Sequence, residues 1–103
     1  MTIFRKTSHL SEILQESEKG PVMIYKHSLT CGTSTETYNT IEKSIIEKTI
    51  NYPVYIVVVQ EMPVLSRNIE TMLEIKHESP QVIILEKGKV KTHKSHREIY
   101  MLV

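Results

Sequence analysis

The chain has 103 residues, 40% of them hydrophobic and 24% charged, with 13 Lys and Arg against 12 acids and a net charge of +1. That suffices for one core and a single domain over residues 1–103, and it argues against a basic surface that tracks phosphates, so no nucleic-acid partner is expected. Every acid is Glu, which excludes aspartate dyads, Asp-rich calcium loops and Ser-His-Asp triads, and no apolar run reaches the ~20 residues that span a bilayer.

Leu10, Ile13 and Leu14 fall at helical spacing after Ser8 and Ser11, either of which is placed to cap a helix, and Lys19-Gly20-Pro21 ends it. Val22 to Tyr25 read as a buried strand. Apolar residues recur at Tyr38, Ile41, Ile45 and Ile46, which predicts a helix from Ser34 to Ile50, stopped by Asn51-Tyr52-Pro53. Val54 to Val59 is unbroken, apolar and β-branched, the pattern of a central strand buried on both faces. Pro63 suits the first turn of a helix whose stripe is Leu65, Ile69, Met72 and Leu73. Pro80 precedes the strand Val82 to Leu85, Glu86-Lys87-Gly88-Lys89 is a hairpin turn, and Val90 to His93 is a lysine-flanked edge strand. Ser95-His96-Arg97-Glu98 has the form of a capping box and opens a short helix burying Ile99, Leu102 and Val103.

The order α-β-α-β-α-β-β-α predicts an α/β fold, a mixed central sheet flanked by helices. Strands separated by helices are expected to be parallel neighbours, and the last two an antiparallel hairpin. After the leading helix, this is the order of the thioredoxin-like fold. That fold places a nucleophilic cysteine after its first core strand and a cis-proline before its hairpin. Cys31 and Pro80 occupy those places.

Cys31 is the only cysteine, in Thr30-Cys31-Gly32-Thr33-Ser34, with Ser34 where a dithiol protein carries its second thiol. It can form mixed disulfides but cannot close one within its own chain, and a lone cysteine fits a cytoplasmic protein without a signal-peptide core in Met1 to Lys6. The thiolate is the reactive form, and a free thiol with a pKa of ~8.5 is little ionised at neutral pH. A helix N-terminus helps: its free N–H groups, here those of Thr33 and Ser34, favour negative charge. The Ser34 hydroxyl is a further possible donor, and Lys26 and His27 are placed to add positive potential. A cis Pro80 would turn Ser79 towards Cys31. His93 and His96 straddle the strand-to-helix transition, so no metal site is expected, and His9 and His77 read as surface residues.

Lys26-His27-Ser28-x-Thr30-Cys31-x-x-Ser34, Ser66-Arg67-x-Ile69, Lys76-His77-Glu78-Ser79-Pro80-Gln81-Val82 and Ser95-His96 together resemble the monothiol bacilliredoxins, the YtxJ-like redox proteins of the bacillithiol system. The resemblance runs from Gly20 onward. It implies an oxidoreductase that removes bacillithiol from S-bacillithiolated client proteins. Cys31 attacks, and bacillithiol serves as co-substrate with no bound cofactor. A monomer is expected. Bacillithiol carries a malate dicarboxylate, for which Lys26, Arg67, Lys76 and Arg97 are the candidate cations. Gly32 departs from the bulkier residue, often proline, that thioredoxin-like proteins carry after the cysteine. Two other readings stay open: an iron–sulfur carrier, because Cys31-Gly32-Thr33-Ser34 differs by one residue from the Cys-Gly-Phe-Ser signature of monothiol glutaredoxins, and a non-catalytic thioredoxin-like binding module.

Overall fold

A computed structural model describes residues 3–30 and 32–102. Expectations that fall on Cys31 and Val103 lie outside the described residues. The elements are α1 (Leu10–Ser17), β1 (Val22–His27), α2 (Gly32–Ile46), β2 (Val54–Val58), α3 (Pro63–Leu73), β3 (Gln81–Glu86), β4 (Lys89–Ser95) and a closing 3-10 helix (His96–Met101). They form a four-stranded sheet ordered β2-β1-β3-β4.

Alternation along the strands sorts the core into two layers. Val22 and Ile24 of β1 face α1 and α3, packing with Ile13, Leu65 and Ile69. Met23 and Tyr25 face the other way, with Ile41 of α2, Ile99 and Phe4. Helical spacing explains α2 as well: Ile41 is buried and Tyr38 and Ile45 are partly buried, whereas Ile46 lies about 100° further round and is exposed. The helix stops at Ile46, four residues before the expected Ile50. Lys48 turns left-handed (φ 63°), and Ile50 folds back with its N–H on the Ser44 carbonyl at 3.1 Å. On α3, Met72 is exposed and Ser66 takes a buried place.

Strand neighbours depart from expectation. β1 and β2 are parallel, but β3 lies antiparallel beside β1, Gln81 opposite Lys26. Glu74 ends α3 in the left-handed region (φ 55°) and reverses the chain. The following segment then runs back along α3, where the His77 N–H meets the Glu70 carboxylate at 2.7 Å. Seven residues reach ~23 Å, more than the ~16 Å of α3 they retrace. β3 therefore starts at the end of the sheet where β1 finishes. β2 is consequently not central. Its outer edge meets Arg5, whose N–H donates to the Val54 carbonyl at 2.8 Å and whose carbonyl accepts from Ile56 at 2.9 Å, and both its faces are buried by the core layers.

Local caps also differ. His9, not Ser8 or Ser11, is the N-cap of α1, and its side chain makes no capping bond. The Thr7 hydroxyl accepts from the His9 N–H and donates to Glu12. Burying Leu10 and Ile13 sets that start. Ser95 precedes the 3-10 helix, but its hydroxyl is spent on the Glu78 carboxylate, and Glu98 turns instead to Lys94 at 3.9 Å, so no capping box forms. The hairpin is as expected. Lys87 and Gly88 have φ of 53° and 73°, the pair of positive values that a two-residue turn needs.

Candidate functional site

The site is built where β1 leaves the sheet and α2 begins. Residues 28–30 bridge the two, and short polar side chains knit that bridge. Ser34 is fully buried, and its hydroxyl accepts from the Ser28 N–H at 3.3 Å. The Ser28 hydroxyl accepts from the Thr30 N–H at 3.3 Å and from Gln60 Nε2 at 2.8 Å. Gln60 Oε1 accepts from the Leu29 N–H at 3.1 Å. Gln60 is thus a clamp on the loop that leads into Cys31. Nothing in the sequence signals it, because the contact crosses from the far end of β2.

Beneath the start of α2, the Tyr25 hydroxyl donates to the Ser34 carbonyl at 3.0 Å and lies 2.7 Å from His27 Nδ1. The His27 ring packs against Tyr25 and Tyr38. Burial lowers its pKa below the usual histidine value, which disfavours the positive charge expected of His27. Thr33 and Gly32 are exposed on the first turn, and the Thr33 carbonyl accepts from Thr37 Oγ1 at 2.9 Å.

Gly32 has open space where a Cβ would project, and its backbone needs no positive φ. The departure at this position is therefore not forced by packing. Gly32→Ala is expected to raise stability by ~0.5 kcal/mol through a less flexible unfolded chain, read as a higher urea midpoint. A lower midpoint would mean that the first turn relies on glycine.

Ser79–Pro80 is a cis peptide at the start of β3. Pro80 is buried, and its carbonyl accepts from the His96 N–H at 3.0 Å. The hydrogen bond from Ser95 holds the Glu78 carboxyl below its ordinary pKa.

On the α3 face, Lys26 is wholly buried, and its Nζ lies 2.8 Å from His77 Nδ1. Burial pushes the Lys26 pKa down to about 8, opposed by the charge of Glu70. His77 is at the surface as expected, yet it supplies the polar contact for this lysine. It also lines an open cavity of about 350 Å³ with Gln60, Ser66, Arg67 and Glu70. Of the four candidate cations, only Arg67 lines that cavity. Lys26 lies inside the protein behind His77, and Lys76 and Arg97 are exposed away from the cavity lining.

This topology, with the cysteine-bearing junction after β1 and a cis-proline before the hairpin, defines the class as thioredoxin-fold. A solved thioredoxin-fold protein whose oxidoreductase activity is itself an assignment superposes with a TM-score of 0.81 at 30% identity, covering 94% of this chain and 86% of that one. Thioredoxin from Trypanosoma brucei brucei (TM-score 0.75, 17% identity, 96% and 83% covered) and thioredoxin O2 from Arabidopsis thaliana (0.72, 18%, 96% and 87%) share the fold. The profile of the monothiol bacilliredoxin BrxC matches residues 3–102. The chain belongs to the monothiol bacilliredoxin family, and its role is thiol redox chemistry. Among the described residues no helix is long and apolar enough to cross a membrane.

Proposed function

We propose that this protein removes bacillithiol from S-bacillithiolated proteins by a monothiol route. The observation that carries the reading is a bacilliredoxin match over residues 3–102 in a chain whose second-thiol position holds Ser34, buried and bonded to the Ser28 N–H. The Cys31 thiolate attacks the bacillithiol sulfur of the mixed disulfide. An S–S bond forms to Cys31, the old S–S bond breaks, and the client leaves as a thiolate. A second bacillithiol thiolate then attacks the adduct, releasing bacillithiol disulfide and restoring the Cys31 thiolate. Exchange is fastest when the attacking thiol's pKa lies near ambient pH.

Bacillithiol thus acts as co-substrate, not as a bound cofactor, and the proposed working unit is a monomer. Cys31 is the proposed nucleophile. Thr30, Gly32, Thr33 and Ser34 shape its turn, with Ser79 and Pro80 forming the facing wall. The cavity beside Gln60 suits the malate end of bacillithiol, with Arg67 as its cation.

The test is a bacillithiolated client mixed with one equivalent of protein and followed by intact mass. Wild type should gain one bacillithiol and release the client thiol in a single turnover. Further turnovers should require added bacillithiol. Cys31→Ser should do neither. Equal release by Cys31→Ser, or no transfer to wild type, would sink the proposal.

A further inference from the structure

Two blocks of the sequence, Lys76 to Val82 and Ser95-His96, are distant in the chain and meet around Ser79. Strand pairing brings them together: Gln81 lies opposite Ser95 in the β3–β4 hairpin and opposite Lys26 near the end of β1. The Ser95 hydroxyl donates to the Glu78 carboxylate. One residue on, the His96 N–H donates to the Pro80 carbonyl at 3.0 Å. His96 is left-handed (φ 54°), a conformation that residues with a Cβ seldom adopt, where the chain leaves β4 for the 3-10 helix. These two bonds grip the residues on either side of Ser79. Ser79 is half-buried, and among the described residues no hydrogen bond holds it directly. Gln81 Nε2 closes the same segment by donating to the Lys76 carbonyl at 3.0 Å. Among the described residues Glu78 makes no ion pair, so the Ser95 hydroxyl fixes where its carboxylate points.

We propose that Glu78 is a positioning residue for client docking: its carboxylate, clamped by Ser95, acts with the His96 N–H on Pro80 to fix the Ser79 backbone against which the client's peptide lies. The inference rests on the reading of Ser79 and Pro80 as the wall facing Cys31. The physical cause is preorganisation. A segment whose hydrogen-bonding groups are already aimed loses less freedom when a peptide pairs with them, so the peptide binds more tightly. An ionised acceptor makes the stronger clamp. The Ser95 hydroxyl, followed by the charges of His96, Lys76 and His93, holds the Glu78 carboxyl below its ordinary pKa against the opposing effect of burial, so the acceptor stays ionised. Glu78 acts through Ser79 and not on the thiol. Loss of the clamp should therefore weaken docking and leave the reactivity of Cys31 alone.

The experiment follows a single turnover of the full chain with an uncharged peptide whose cysteine carries a thiopyridyl group. The Cys31 thiolate attacks the peptide's sulfur, and a Cys31–peptide disulfide forms. The S–S bond to the thiopyridyl group breaks, and that group takes a proton and leaves as coloured pyridinethione. Rates are taken across peptide concentration. Dithiodipyridine, which has the same leaving group and no peptide, is the control. Glu78→Ala should raise the half-saturating peptide concentration about tenfold and leave the saturating rate within about twofold of wild type. Ser95→Ala should do the same, and the double variant should be no worse than either. Glu78→Gln keeps an acceptor and Ser95→Thr keeps the hydroxyl, so both should stay near wild type. Rates with dithiodipyridine should not change. A residue that only stabilised the fold would lower the urea midpoint and leave the half-saturating concentration alone, and a folded Glu78→Ala with that result overturns the proposal. Equal slowing with dithiodipyridine overturns it too, because the thiol itself is then affected. Should Glu78→Ala not fold, Ser95→Ala decides alone. The assay contains no bacillithiol. A wild type that reacts with the peptide yet takes no bacillithiol from a client would therefore count against the proposed function and not against Glu78.

Discussion

Lys26→Met should be more stable than the wild type at pH 7, by about 1–2 kcal/mol, and its advantage should shrink as the pH is raised from 8 towards 10.5. Methionine follows the path of the lysine stem between Ile24, Val57 and Gln81 and leaves no charge to desolvate. The contact it gives up, to His77 Nδ1, is replaced by water, because His77 is exposed on the cavity. The pH dependence follows from where the proton sits. Lys26 titrates at about 8 in the folded protein against an ordinary 10.5. Below pH 8 both folded and unfolded chains hold the proton, and the full cost of burial is present. Between those two values the unfolded chain keeps the proton while the folded chain gives it up, so wild-type stability rises with pH. Lys26→Met has no group to titrate there and lacks this rise. Urea midpoints at pH 7, 8.5 and 10 read the difference. A variant less stable than wild type at pH 7 would show that the His77 contact outweighs the cost of burying the ammonium.

The second large effect is expected from Ser34→Cys. On the proposed route the bacillithiol adduct on Cys31 of the wild type persists until a second bacillithiol arrives. A thiol at position 34, three residues after Cys31 in the sequence, is expected to attack that adduct directly. The S–S bond to bacillithiol breaks, an internal disulfide forms, and bacillithiol leaves as a thiolate. With one equivalent of bacillithiolated client, intact mass should show no lasting adduct and a loss of two hydrogens. The variant should then need an external dithiol reductant for further turnovers. It should also be less stable, by about 1–2 kcal/mol, because sulfur is a poor acceptor for the buried Ser28 N–H that Ser34 Oγ now satisfies at 3.3 Å. An adduct that survives as long as in wild type would place residue 34 out of reach of Cys31, and the proposed turn geometry would be wrong.

What the sequence determined by itself was local. Helical periodicity located α1, α2 and α3, and β-branched runs located β1, β2 and β3. The Lys87-Gly88 turn was readable because only a few residue types accept its positive φ values, and Ser34 in the second-thiol position already limited the chemistry to one thiol. The motif blocks also carried the family, since they name residue types at set spacings. Tertiary structure decided what depends on partners distant in the chain. β2 reads as a central strand, yet it is an outer one, because the core layers on both sides of the sheet bury Tyr55 and Val57 on one face and Val54, Ile56 and Val58 on the other, while Arg5 pairs with its free edge. β3 turned antiparallel to β1 because Glu74 reverses the chain after α3, and no apolar pattern encodes direction. Ser95 and Glu98 spell a capping box, but the Ser95 hydroxyl is captured by Glu78, a residue from another segment. Gln60 reaches the loop before Cys31, and His77 reaches Lys26, across gaps of 31 and 51 residues. Periodicity reports which face a residue shares with its neighbours; which polar atoms meet inside is set only when the strands are laid side by side.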